Sequence, residues 1–322
     1  MQNGFTVFRK LVKYGKIILL KTNANYFGVG DNMKALKGVL ITLVVIIAIV
    51  GVTVIGGYVY VRATYGIDLF RTAGQLKTLS KGVDESALCP NAYGERDFVT
   101  MKSEIDERLP GLIVYEKDEG FNGYSVNFAA IEGQTVTDTI SLSEKQTGAI
   151  AQTVFYGQTG GKIKIGEKEV SVTVVQVDFS EISENGSADF NVVVKIDLTP
   201  FKADMGGFPY KYFKKYIPDN LYVSSTVRVD KTEEDGFAYT VTHKSLTLNN
   251  LSADDTADLF NTLNAVLKIG TAENLNMQIG TTAVNALIGT KDAIGFAYSM
   301  KAIGAKSFDF GTVSDIDLFI VY

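Results

Sequence analysis

Histidine and cysteine, the side chains most often used as metal ligands, nucleophiles and proton-transfer groups, occur once each in this chain of 322 residues. His243 lies in an alternating run typical of a β-strand, and one histidine cannot form a histidine-rich metal site. No Ser–His–Asp order surrounds it. Cys89 precedes Pro90, and a single cysteine excludes an internal disulfide and a cysteine-based zinc site. We interpret His243 as a surface or hydrogen-bonded strand residue and Cys89 as a small apolar or turn residue.

The glycine-rich run at 157–162 has the composition of a phosphate-binding loop but not its spacing. One residue is missing between the glycines, and Ile163 stands where a Ser or Thr would hold magnesium. The acidic run at 230–235 lacks the alternating oxygen ligands and the central glycine of a calcium loop. The other carboxylates are scattered along the chain, so a hydrolase would have to assemble its site from dispersed acids. We predict no cofactor, no metal and no enzymatic activity.

Aromatic side chains cluster between 201 and 216, where Lys211, Lys214 and Lys215 are interleaved with the rings. Such a segment favours contact with a membrane surface or a protein partner. The alternative is that the rings close the end of a sheet while the lysines stay in solvent. We predict contact residues at Phe208, Tyr210, Tyr212, Phe213 and Tyr216.

Residues 38–61 form an uncharged run of 24 residues between Lys37 and Arg62. As a helix this run is about 36 Å long, enough to cross a hydrocarbon core of about 30 Å. Seven basic residues precede the run and three follow it within twenty residues, which places the N-terminus in the cytoplasm. The pattern of a cleaved signal peptide does not fit, so we predict an uncleaved anchor in the cell membrane and an extracytoplasmic C-terminal domain.

The segment before the span sorts into an apolar and a basic half on a helical wheel. Residues 5–21 are typical of an amphipathic helix on the anionic inner leaflet, although a basic flank without a helix would also orient the span. Its predicted contacts with membrane lipids include Phe8, Lys10, Lys13 and Lys16.

Charge differs sharply between the two parts of the chain. Residues 1–62 carry eight basic and one acidic side chain, whereas the rest carries 23 basic and 35 acidic ones. The acidic outer part disfavours nucleic acid as a partner. It also has one cysteine only and enough residues to bury a core without disulfides, which suits a bacterial surface.

Beyond the span the pattern changes from helical to alternating. We predict an α+β outer domain, dominated by antiparallel strands, with two or three packed helices. The divisions are a cytoplasmic basic amphipathic segment 1–37, a transmembrane helix 38–61, a helical stalk or connector 62–110 and a β-rich extracytoplasmic domain 111–322. Strands are predicted at 112–116, 124–130, 162–165, 169–179, 188–198, 221–230, 237–248, 295–303, 307–310 and 316–321.

Helices are predicted at 95–108, 143–156, 252–268 and 271–288, the last weakened by Gly280. Ser143 with Gln146, and Ser252 with Asp255, have the spacing of helix N-caps. The two capped helices share a Leu-Ser-x3-Thr pattern 109 residues apart. An internal duplication would explain this pattern, and so would two independent uses of a common cap.

The strand and cap at 139–146, Thr-Ile-Ser-Leu-Ser-Glu-Lys-Gln, resemble the start of the corresponding helix in YpmS-like proteins of Gram-positive bacteria. Thr147 and Gly148 replace a Leu-Asn pair of that family's pattern. The resemblance implies a short cytoplasmic tail, one span and a β-rich outer domain, with curved sheets packed on helices as in tubular lipid-binding domains. No catalytic residues transfer.

Three functions follow from this layout. The first is a membrane-anchored extracytoplasmic binding protein of the cell envelope that holds lipid or another apolar ligand in a groove. The second is a structural or assembly subunit of an envelope protein complex. The third is a hydrolase with convergent carboxylates. We expect the first.

Overall fold

The computed structural model describes residues 69–116, 123–165, 168–184, 186–203, 214–232, 236–267, 270–311 and 318–322. The predicted span 38–61 and the basic segment before it lie outside these residues. Within the described part of the chain, no helix has the length and apolar character needed to cross a membrane.

A five-stranded antiparallel sheet forms the centre of the fold. Its strands lie side by side in the order of the sequence, and a longer connection that contains a helix and a 3₁₀ turn joins the third strand to the fourth. They are β4 Lys162–Ile165, β5 Lys168–Ser180, β6 Ser187–Asp197, β7 Asn220–Lys231 and β8 Tyr239–Leu248. All five agree with predicted strands.

Alternation gives this sheet two chemically different faces. On one face of β7, Val223, Val227 and Val229 are completely buried. The alternate residues Ser224, Thr226 and Arg228 are polar and point to the other face. Irregular pairing near Val174 and Val227 marks β-bulges. Such bulges add one residue to one strand and increase the local twist.

The remaining described strands form two smaller antiparallel sheets. One pairs β1 Ile113–Tyr115 with β2 Tyr124–Val126. In the other, β10 Leu318–Val321 lies between β3 Ile140–Leu142 and β9 Ser307–Phe310. The buried residues of that sheet lie on one face, as the alternating pattern requires.

Helices pack against the strands, and two of them begin at the predicted N-caps. Ser143 and Gln146 form both hydrogen bonds of the predicted capping box. Ser252 accepts from the amide of Asp255, 3.1 Å away. The helices are α1 Leu69–Leu79, α2 Glu85–Leu88, α3 Glu95–Asp106, α4 Glu144–Thr159, α5 Thr199–Ala203, α6 Ala253–Leu267, α7 Ala272–Leu287 and α8 Phe296–Ser299. Short 3₁₀ turns cover Phe128–Ile131, Lys214–Tyr216 and Met300–Ile303.

The apolar face of the five-stranded sheet is covered by helices. Helix α4 packs on β5, and α7 packs on β7 and β8. Gly280 explains how close α7 comes: a Cβ atom at this position would lie 2.9 Å from Val227 Cγ2 and closer still to Cγ1. The glycine weakens the helix locally but permits this approach.

The region before β1 packs against the sheet and its helices. Gln75 of α1 donates to Asp258 of α6 over 2.9 Å, and Arg71 lies 3.1 Å from the same carboxylate. Glu104 of α3 accepts from Gln146 of α4 over 2.6 Å. The described helices of the predicted stalk or connector are therefore docked on the rest of the fold.

The predicted α+β class with antiparallel strands is confirmed, but the strand prediction at 295–303 is wrong. Phe296, Met300 and Ile303 are buried at helical spacing, and the segment forms α8 and a 3₁₀ turn. Gly295 approaches Gly289 so closely that no side chain fits at either position. The tight loop between these two glycines leads directly into the helix that begins at Phe296. The strand predicted at 124–130 stops at Val126 and continues as a 3₁₀ turn.

The two segments with the shared Leu-Ser-x3-Thr pattern occupy different surroundings. The strand before α4 is β3, in the three-stranded sheet, whereas the strand before α6 is β8, at the side of the five-stranded sheet. Thr147 and Thr256, which occupy the same position in the pattern, are both completely buried, and their hydroxyl groups lack a hydrogen-bond partner.

A candidate binding face and its strap

The face of the five-stranded sheet opposite α4 and α7 carries rows of hydrogen-bonded polar side chains. Asp178, Asn191 and Thr226 lie directly opposite one another on β5, β6 and β7. Asn191 donates to Asp178 Oδ1 over 2.7 Å and accepts from the Thr226 hydroxyl over 2.9 Å. We call this surface the polar face.

The neighbouring row contains charged groups that neutralise one another. Asp189 is 4% exposed, and Arg228 Nη1 lies 3.0 Å from its Oδ1. Lys244 contacts the other carboxylate oxygen. A buried carboxylate needs such partners because its desolvation is costly. Asp189 is thus held by two cations from two different strands.

Residues 81–93 cross the polar face and are called the strap. The single turn of α2 lies within it, and the Asp84 side chain caps this turn through the amides of Ser86 and Ala87. Asn250 Nδ2 donates to the Gly82 carbonyl over 3.2 Å near one end. At the other end, the Tyr93 hydroxyl donates to the Val174 carbonyl. The strap is therefore fixed at both ends.

A small apolar cluster lies between the strap and the sheet. Cys89 of the strap packs with Val175, Val193 and Tyr222 of the sheet, and further strap side chains surround them. This cluster is separate from the large core beneath α4 and α7. Its members point to the polar face, because β5 and β6 alternate and the core takes their other residues.

A charged group at the edge of this cluster joins the strap to two strands. Lys195 Nζ lies 2.7 Å from Glu85 Oε2, and the Tyr222 hydroxyl donates to the same oxygen. Burial raises the pKa of Glu85, but the hydrogen bonds from Lys195 and Tyr222 outweigh this effect and lower it overall. The same contacts outweigh desolvation at Lys195 and raise its pKa. The carboxylate is therefore charged where it meets the ammonium group.

Cys89 has the properties of a packing residue. Burial, together with the nearby Glu85 carboxylate, raises the pKa of its thiol to about 11. The thiolate is the nucleophilic form, so this thiol is unreactive at neutral pH while the strap is in place. This agrees with the sequence-based interpretation of Cys89 as a small apolar residue.

His243 takes part in a hydrogen-bond network on the helix-covered side. Asn276 of α7 donates to the Thr226 carbonyl over 2.8 Å and lies 2.7 Å from His243 Nδ1. Its carbonyl oxygen accepts from Ser225 over 2.7 Å. Since Asn276 uses its amide nitrogen as donor to both groups, His243 Nδ1 is the acceptor and Nε2 carries the proton. His243 is a strand residue that is hydrogen-bonded to a neighbouring helix, which agrees with the prediction of a hydrogen-bonded strand histidine.

Tyr216 is the one predicted contact residue inside the described ranges. Its ring is half-buried and packs against the main core, and the Lys215 ammonium lies 5.0 Å from the ring centroid. Lys214 and Lys215 are exposed. The other predicted contact residues lie outside the described residues: Phe8, Lys10, Lys13, Lys16, Phe208, Tyr210, Tyr212 and Phe213.

Metal binding receives no support from the residues that the structure describes, which contain no group of three His, Cys, Asp or Glu side chains able to hold an ion. Comparisons of the chain with protein-family models, curated proteins and solved structures find no match. The resemblance of residues 139–146 to YpmS-like proteins therefore stays a prediction.

Sequence reasoning missed the polar face and the strap. Asp178 and Asp189 were visible as charged residues next to apolar ones within predicted strands. That pattern is a signal, because a charge inside a buried strand needs a partner nearby. The partners lie on β6, β7 and β8, and only the strand register reveals them.

Proposed function

We propose that this chain is a membrane-anchored binding protein of the cell envelope, without catalytic activity, whose outer domain binds a protein partner. This is the structural or assembly role among the sequence-based alternatives. One observation carries the proposal: the polar face has the composition of a protein-binding surface. Its apolar centre at Val175, Val193 and Tyr222, which the strap covers in the structure, is surrounded by hydrogen-bonded and ionic groups. Protein interfaces combine an apolar centre with a polar rim in this way.

A protein partner is favoured over a lipid by the packing of the other face. A lipid carrier needs an apolar groove between helices and sheet. At α7 the approach is too close to leave one, since Gly280 directly contacts Val227 on β7. Membrane lipids remain partners in the proposal only through the anchor and the basic segment before it.

The site chemistry supports a binding role. The Cys89 thiol is buried with a pKa raised to about 11. Asp189 is occupied by Arg228 and Lys244, and His243 by Asn276. Groups engaged in this way hold the fold together and are poorly placed to attack a substrate.

The predicted localisation is part of the proposal. An N-terminus in the cytoplasm, a span at 38–61 and an acidic outer part would place the polar face outside the cell membrane. The plan implied by the resemblance to YpmS-like proteins is the same.

Photo-crosslinking in living cells tests the proposal. A benzophenone amino acid replaces Thr242, an exposed residue of β8 opposite Arg228 on the polar face. Val99 of α3, which is 56% exposed, provides the control position. We expect a discrete protein adduct from position 242 and none from position 99. Equal adducts at both positions, or none at either, would refute binding through this face. A lipid that copurifies with the chain in native mass spectrometry would favour the lipid alternative.

A further inference from the structure

The geometry points to the strap as an internal ligand of the surface beneath it. That surface binds a short segment of a partner protein with acidic and apolar side chains, and this segment displaces the strap. This inference rests on the proposed function and names the part of the polar face that the partner uses. The strap occupies that part in the structure described above.

The strap can leave without opening the main core. Its apolar contacts form a cluster of their own with Val175, Val193 and Tyr222, separate from the core beneath the helices. Both flanks are anchored in that main core, by Leu79 on one side and by the partly buried Tyr93 on the other. Release of the strap is therefore a local opening, of the kind that proteins undergo far more often than global unfolding.

Few contacts hold the strap in place along its length. Helix α2 has four residues, none of them buried. Between the anchored ends, Glu85 bonds to Lys195 and Tyr222, and the Asn91 amide donates to Gln176 over 3.1 Å. Cys89 is the buried apolar residue of the strap. The remaining apolar contacts of the strap come from the partly buried Val83, Leu88 and Ala92. A segment with one buried side chain and few hydrogen bonds to the sheet opens more readily than the main core.

The docked strap shows which chemistry the surface accepts. The Lys195 ammonium group on the sheet forms an ion pair with the Glu85 carboxylate of the strap. One helical turn further on, Leu88 and Cys89 enter the apolar centre. A partner segment that fits therefore carries a carboxylate three or four residues before a pair of apolar side chains. Lys195 loses its partner when the strap leaves, which favours an acidic replacement.

Cys89 reports strap opening because it is buried beneath the strap and is the single thiol of the chain. We would measure its modification by an uncharged thiol reagent in the full chain in detergent micelles at neutral pH. The variant Glu85→Gln loses the charge that holds the strap, and Asp219→Asn breaks a comparable pair with Lys202 away from it. We expect Glu85→Gln to raise the rate roughly tenfold, from the strength of hydrogen bonds to charged groups, and Asp219→Asn to leave it unchanged.

Tyr222→Phe provides a second variant in case Glu85→Gln disturbs folding. It removes the hydroxyl bonded to Glu85 and keeps the ring in the apolar cluster, so a smaller increase in the same direction is expected. Unchanged modification rates in both variants would overturn the inference. So would modification that requires the same urea concentration as global unfolding, because the strap would then be a fixed part of the core.

The binding step is tested with a labelled synthetic peptide of residues 81–93 in which serine replaces Cys89. We expect it to bind the Glu85→Gln chain roughly tenfold more tightly than the parent chain, because the weakened strap leaves the surface free for a larger fraction of the time. A peptide with glutamine in place of Glu85 should bind more weakly to both. Absence of peptide binding would overturn the inference. Partner crosslinking at position 242 would still stand in that case, so the two proposals fail separately.

Discussion

Replacing Gly280 by alanine is expected to destabilise the protein, although alanine is the better helix former. In the interior of an exposed helix this change gains about 0.5–1 kcal/mol. Here the new Cβ would lie 2.9 Å from Val227 Cγ2 and nearer to Cγ1, in a region where Val227 is completely buried. Overpacking of this kind costs about 1–3 kcal/mol, and a β-branched neighbour with a fixed rotamer places the cost in the upper part of that range. We expect a net loss of about 1–2 kcal/mol.

Gly74 provides the matched control. It lies in α1, and nothing is within 4 Å of a Cβ added there, so Gly74→Ala should stabilise the chain. Thermal unfolding of the full chain in detergent micelles, followed by circular dichroism, would measure both variants. For a domain of this size each kcal/mol corresponds to roughly 2–4 °C in the midpoint. If Gly280→Ala raised the midpoint as Gly74→Ala does, the close approach of α7 to β7 would be wrong. In a background with Val227→Ala, which removes both Cγ atoms, the cost of Gly280→Ala should be smaller than in the parent chain.

Two further predictions concern buried hydroxyls and pH. Thr147→Val and Thr256→Val should each stabilise the chain by about 1 kcal/mol in urea unfolding, because their buried hydroxyls lack partners, whereas Thr153→Val, whose hydroxyl is hydrogen-bonded, should destabilise it. The contribution of the Glu85 carboxylate to strap closure should be fully present above its ordinary pKa of 4.5 and be lost as the pH falls through its lowered pKa. Hydrogen exchange of the Cys89 amide, corrected for the intrinsic rate, should therefore accelerate in acid, and pH-independent protection would contradict the ion pair.

Much of the fold could be predicted because local rules decide it. Strands β5 to β8 follow from alternation, and α4 and α6 follow from caps whose hydrogen bonds the structure contains. The strand prediction at 295–303 was wrong because the apolar residues of this short segment fit the alternation of a strand and the spacing of a helix equally well. The close approach of Gly295 to Gly289, which fixes the outcome, is a tertiary contact. The sequence showed Gly280 as an interruption of helical propensity, but its structural reason, the close approach to Val227, lies on a strand that is distant in sequence.

The candidate site was harder to predict, because its parts are far apart in sequence. Glu85 meets Lys195 and Tyr222 across more than 100 residues. No spacing rule connects them, and within the strap the sequence analysis singled out only Cys89, as a small apolar or turn residue before Pro90. Polar residues within apolar strands were the available signal. Their pairing depends on strand register, and a shift of one residue would turn every side chain to the other face.

The central position of β10 in the three-stranded sheet affects the order in which the sheets can fold during synthesis. The five-stranded sheet can add each strand beside the one that emerged before it. Strand β3 cannot pair until the end of synthesis, because Leu142 pairs with Leu318, which is synthesised 176 residues later. Until then the apolar residues Ile140 and Leu142 have no strand to cover them, although they are buried in the finished protein. A nascent chain with a finished sheet and an unpaired apolar strand is the species that a chaperone would recognise.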